Sequence, residues 1–285
     1  MVVRRAVALS FLAVVLAALG WGAAVAIGKL RGSSSASTRT GPLPPPKPFR
    51  IVFPEGFTRR EMAERITKVD GIAFREKHVR PHMSAQAYLA ATASSPLPGT
   101  FAGDHKRRSL EGFLFPATYE FLRNTTSKRL VTNQLVAFRR AWKGVDLRYA
   151  RSKQLTPFDV LVVASMVEKE AVAPDERPKI AAVIYNRLHA RMPLGIDATI
   201  RYALGVPGTK PLLQSQLSNP TPYNTRLHRG LPPGPIANPG LASIQAAAHP
   251  AKVDYLYFVR KPDKVHHFFT ASYAEFQAYA SAHGF

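Results

Sequence analysis

The chain has 285 residues, no cysteine, 46% hydrophobic residues and a formal net charge of +21. That length holds one large domain or two smaller ones with a real core, and the apolar content excludes a mostly disordered protein. The absence of cysteine excludes disulfides, thiol catalysis and thiolate metal sites, while the charge favours a polyanionic neighbour: nucleic acid, anionic lipid or an acidic wall polymer.

Arg4 and Arg5 precede an uncharged run from Ala6 to Gly28. As a helix that run would reach about 34 Å, enough for a bilayer core of roughly 30 Å. Ala24-Val25-Ala26 resembles a signal-cleavage site, yet the run is longer than a secretory h-region. Residues 1–28 are therefore expected to be an uncleaved transmembrane anchor, with the rest of the chain extracytoplasmic. That placement makes nucleic acid a poor partner. Residues 29–48 read as a linker, Ser/Gly-rich and then Pro-rich.

"FRIVFPEGFTRREMAERI" predicts a strand, a Pro54-Glu55-Gly56 turn and a helix opened by a Thr58/Glu61 capping box. A second helical patch covers Ser84 to Ala93, so residues 49–98 read as a small strand–helix–helix module. Residues 99–285 read as the main domain. Helices mix there with short strands such as "YLYFV" without regular alternation, which predicts an α+β fold.

Within it, "TPFDVLVVASMVEKEAVAP" gives Thr156 as N-cap, Pro157 at N1 and Asp159 in the first turn. Pro174 ends the helix near Val172. The helix is apolar nearly all round, as a buried central helix is. Glu168 and Glu170 lie near its end, two residues apart and so about 200° around the axis from each other. They cannot flank one scissile bond together. Glu168 shares its face with Leu161, Ala164 and Ser165, groups suited to a cleft floor, and a protonated carboxyl there would serve as a general acid. A plain salt bridge to one of the many arginines is the competing role for Glu168.

"EGFLFPATYEF", "ASMVEKEA", "ERPKIAAVIYNRL", "PYNT", "GLPPGPIANPG" and "AAAHPAKVDYLYFV" occur in that order. Together, over roughly residues 49 to 280, they resemble the YceG-like family of membrane-anchored endolytic murein transglycosylases. The resemblance implies a LysM-like subdomain at 49–98 and a catalytic domain at 99–285. It implies cleavage of peptidoglycan glycan strands between MurNAc and GlcNAc, leaving 1,6-anhydroMurNAc ends. Glu168, the first acid of V-E-K-E, would be the catalytic acid. An ordinary glycosidase needs two carboxylates, but the resemblance implies attack by the sugar's own 6-hydroxyl, so one suffices, Glu170 is expected to be structural, and no metal or cofactor is needed. Cell-wall synthases are the implied partners.

Tyr223, Asn224 and Thr225 are candidates to bind the sugar, or a capped turn after Pro222. Asp197 and Thr199 lie in the matching "LGIDAT" stretch, with Asp197 either reaching substrate or capping a helix. Asn238 is the polar exception in the Pro-rich loop, Glu111 reads as structural and His267 as packing. Gly195, Ala117 and Phe276 depart from the family pattern. The rival function is a non-catalytic peptidoglycan-binding scaffold for the synthases. A metal enzyme lacks support, since the histidines are scattered and no H-E-x-x-H occurs.

Overall fold

The computed structural model describes residues 47–104 and 107–284. The expected anchor and nearly all of the linker fall outside the described residues. Among those described, no helix is long and apolar enough to cross a membrane. Residues 46–285 form one compact α+β unit in which helices predominate.

Strand β1 (Phe49–Val52) leads through the Pro54-Glu55-Gly56 turn into α1 (Arg59–Lys77). The Thr58/Glu61 capping box is formed there, and the buried Met62, Ala63 and Ile66 face the core. Helix α2 (Ala85–Ala93), capped by Ser84, packs on α1. After the short strands β2 (Ser95–Pro96) and β3 (Arg107–Arg108), which pair with each other, β4 (Thr118–Phe121) returns antiparallel to β1. Its register sets Ile51 opposite Tyr119. Strand β1 thus finds its partner beyond residue 98, and the segment 49–98 shares a sheet and a core with the larger part of the chain.

Helices α3 (Ser127–Trp142) and α4 (Arg148–Ser152) lead to the central helix α5 (Pro157–Glu170). Thr156 and Asp159 complete a second capping box at its start. Every residue from Val160 to Val167 is buried. At roughly 1.5–3 kcal/mol for each large apolar side chain removed from water, this helix is a main source of cohesion. It ends at Glu170, two residues short of the expected point, because Ala171 is already extended at ψ 123°.

Around α5 lie α6 (Arg177–His189), α7 (Asp197–Leu204), on which the single turn α8 (Gln214–Leu217) packs, and α9 (Leu241–Ala248). The hairpin of β5 (Tyr257–Arg260) and β6 (His267–Thr270) comes next, with Arg260 opposite His267, and α10 (Tyr273–Ala282) packs on it. The last turn of α5 therefore meets the start of α7, the start of α9 and the β5 strand.

Candidate active site

An open cleft of about 1790 Å³ runs past this junction. Its walls come from the start of α1, the 194–198 loop with α7, the 221–226 segment, and β5 with His267. Lys169 and Glu170 form part of its lining at the end of α5.

The two acids of α5 point apart, as the helical spacing requires. The Glu168 carboxylate accepts the Gly240 amide at 3.0 Å, at the N-cap of α9. Glu55, from the turn after β1, lies over the same glycine, where a Cβ would collide with its carboxylate. Burial and then the Glu168 charge push the Glu55 carboxyl up, while Arg177 pulls it back. Glu168 thus ties α5 to the 230–240 loop. It is not among the residues that line the cleft.

Glu170 is. Its carboxyl lies near the Ala198 N–H at the start of α7, which favours the anion; the N-cap of that helix, Ile196, gives no side-chain hydrogen bond. Burial pushes this carboxyl up to about 7, opposed by Arg260 and Arg201 and reinforced by Asp197. A carboxyl poised there is partly protonated at neutral pH and can both give and take a proton. Between the two, Lys169 Nζ donates to the Gly56 carbonyl at 3.3 Å.

The other candidates divide. Asp197 is the first residue of α7, half-exposed in the cleft, and pairs with Arg226 at 2.7 Å. Tyr223 lines the cleft too, with its ring 5.2 Å from that of Tyr202. Thr199, Asn224, Thr225 and Asn238 are buried, with their polar atoms turned inward. The Thr199 and Thr225 hydroxyls meet at 3.1 Å, and Thr225 accepts the Ile196 amide at 2.9 Å. Asn224 donates to the carbonyls of Leu217 and Asn219 and accepts the Arg226 amide. These side chains brace the walls and are closed to a sugar in this arrangement.

Asn238 is the tightest brace. Its Oδ1 accepts the amides of Gly112 and Leu114 at 2.8 and 2.9 Å, and its Nδ2 donates to Phe57 O and Glu111 Oε1, each at 2.8 Å. Glu111 also accepts the Arg59 amide and the Tyr202 hydroxyl. Burial pushes its carboxyl up to about 7 against those bonds. Of the departures from the family pattern, Gly195 sits at φ +62°, a conformation that favours glycine over the usual residue there. Phe276 packs tilted against Tyr257 at the cleft edge, with ring centres 5.4 Å apart, and the Ala117 carbonyl accepts the Phe53 amide.

Sequence reasoning passed over Glu55 and Arg260, and gave His267 to packing alone. Glu55 lies in a Pro-Glu-Gly turn that reads as surface, and Arg260 ends a strand; neither carries a local signal.

A buried central helix that ends in two acids beside an open cleft defines the class: an α+β fold with its candidate site at the end of that helix. The chain belongs to the YceG-like family, whose profile matches residues 28–282. It is 34% identical over 217 residues to an endolytic murein transglycosylase of Bacillus subtilis, covering 75% of this chain and 59% of that one. It is 36% identical over 230 residues to the endolytic murein transglycosylase of Streptococcus pneumoniae R6, covering 73% of this chain and 40% of that one. The chain thus spans about half the length of these relatives. The crystal structure of a yceG-like protein from Listeria monocytogenes superposes with a TM-score of 0.68 at 28% identity, covering 80% of this chain and 75% of that one.

Proposed function

We propose that this chain is an endolytic lytic transglycosylase of peptidoglycan, cutting the MurNAc–GlcNAc bond and leaving 1,6-anhydroMurNAc ends. The observation that carries the proposal is the place of the Glu170 carboxyl, in the lining of the main cleft at the mouth of α7 with Arg201 and Arg260 in the same lining. The names of the relatives support the same reaction.

In this reading Glu170 protonates the glycosidic oxygen as the bond to the anomeric carbon breaks. Its carboxylate then takes the proton of the sugar's 6-hydroxyl as that oxygen closes onto the anomeric carbon. Burial favours the neutral acid before the step, and Arg260 and Arg201 limit the cost of the anion after it. The resemblance gave this role to Glu168. Glu170, which that resemblance left free to be structural, is proposed instead because it lines the main cleft, whereas Glu168 has one oxygen on the Gly240 amide and its second oxygen without a hydrogen bond among the described residues. Asp197 and Tyr223 are the proposed contacts to the sugar. Thr199, Asn224, Thr225 and Asn238 act through the walls they brace.

The apolar run 6–28 supports a single-pass anchor in the cell membrane with the cleft outside, near synthases that make new glycan. The strand–helix–helix order of 49–98 supports a LysM-like origin for that segment.

Peptidoglycan digested with the 46–285 segment, beside its Glu170→Gln and Glu168→Gln forms, tests the assignment. The expected result is anhydro ends, read by mass spectrometry, from the unmodified and Glu168→Gln proteins and none from Glu170→Gln. Loss in Glu168→Gln alone would return the acid role to Glu168. Reducing ends would mean a water-using muramidase, and binding without cutting by all three would mean a scaffold.

A further inference from the structure

A buried pair beside the cleft takes no part in the chemistry above. His267, on β6, is 4% exposed and lines the cleft. Its Nδ1 lies 2.7 Å from Oε2 of Glu176, itself buried in the turn before α6. The same carboxylate accepts the His267 backbone amide through both oxygens, at 3.0 and 3.2 Å. Phe258 and Phe269 meet the ring edgewise at 5.3 and 5.9 Å. The imidazole is therefore fixed in place and in orientation.

A carboxylate at Nδ1 makes that nitrogen the donor, and in the neutral ring this leaves a lone pair on Nε2. Among the described residues no protein group bonds Nε2, and it is not one of the fully buried atoms without a partner. The cleft is what remains for it. Arg260 stands directly opposite His267 in the hairpin, so both side chains leave the same face of the two strands. Arg260 in turn reaches the Glu170 carbonyl at 3.4 Å, and its charge acts on the Glu170 carboxyl. His267, Arg260 and Glu170 thus share one wall. A ring kept for packing alone has no need of a buried carboxylate, which is costly to desolvate.

We propose that His267 touches the substrate: its Nε2 accepts a hydrogen bond from a hydroxyl of the sugar held against Glu170, and Glu176 is the positioning residue that keeps Nε2 free to accept. This rests on the transglycosylase reading of the same cleft. It gives an N-acetylated, hydroxyl-bearing glycan a fixed acceptor on the β5–β6 side, facing the acid.

Two conservative variants separate the roles of the ring nitrogens. His267→Asn leaves an amide near Nδ1 for Glu176 but removes Nε2, whereas His267→Gln puts an acceptor near the Nε2 position. Each is made in the full chain, and each again with Glu170→Gln, and the probe is soluble uncrosslinked peptidoglycan strands. His267→Asn should lower kcat/KM by about 10- to 100-fold with the melting temperature held, and His267→Gln should recover much of that loss. In the Glu170→Gln background, His267→Asn should weaken strand binding about tenfold. Where Glu170→Gln still cuts, Glu168→Gln is added to that background so that the strands stay whole, and the binding readout then stands even if the acid assignment falls. Wild-type turnover and affinity in His267→Asn would overturn the proposal. So would equal losses in both variants that track a lower melting temperature, which would return His267 to packing.

Discussion

Asn238→Ala is the sharpest test of how the cleft is held. The side chain is fully buried and makes four hydrogen bonds. Two of its partners keep other bonds after truncation: the Phe57 carbonyl still accepts the residue 238 amide, and Glu111 still accepts the Arg59 amide. The amides of Gly112 and Leu114 lose their acceptor. A buried donor left unsatisfied costs about 1–3 kcal/mol, so the two together cost about 2–6 kcal/mol, with about 4 as the centre. The compact unit, residues 46–285, has 240 residues, and its unfolding entropy is about 0.5 kcal/mol per kelvin on the usual per-residue scale. The expected drop in melting temperature is therefore about 8 °C. Thermal unfolding of the segment by circular dichroism, paired with denaturant titration, reads it directly. A loss below about 1 kcal/mol, or about 2 °C, would mean that water replaces the amide and that Asn238 is no brace.

Activity should be level below about pH 7 and fall about tenfold per unit above it, because Glu170 must enter the reaction protonated; a profile flat to pH 9 would contradict that. Glu111 binds a proton more readily when folded, near 7, than when unfolded, near about 4.3. Its contribution is fully present below the unfolded value and is lost as pH rises through the folded one, so stability should decline across that window. Glu111→Gln should flatten part of the decline, measured as melting temperature against pH. Gly240→Ala should cost under about 1 kcal/mol, because the Glu55 carboxylate that a methyl would meet is the exposed end of a flexible side chain and can swing aside; a larger loss by thermal unfolding would show that Glu55 is held in place. Asp197→Ala should change stability by under about 1 kcal/mol, since its pair with Arg226 is half-exposed, yet raise KM for glycan strands.

Much of this fold is written locally. The Thr58/Glu61 box, the Thr156-Pro157-Asp159 helix start and the divergence of Glu168 from Glu170 all follow from spacing, and each is present. Which of the two acids meets the cleft is not local. It depends on where Gly240 and Ala198 arrive, 72 and 28 residues after Glu168 and Glu170. The inward turn of the polar loop residues was hidden for a related reason. Thr225 or Asn238 in a Pro-rich loop looks the same whether it will meet a ligand or a distant amide. Asn238 binds partners 126 and 181 residues away. The same distance hid the Glu176–His267 pair, 91 residues apart, and the β1–β4 pairing, whose two strands flank the whole α1–α2 segment.

The Glu-Lys-Glu end of α5 also sets a rule for insertions and deletions. Each of its three side chains serves a different neighbour: Gly240, the Gly56 carbonyl and the start of α7. Removing one residue upstream in the helix would turn this end by about 100° and draw it in by about 1.5 Å. Ala171 would then stand where Glu170 stood, and Lys169 would face the Gly240 amide. The surface loops can absorb a change of length, but the 14 residues of this helix cannot.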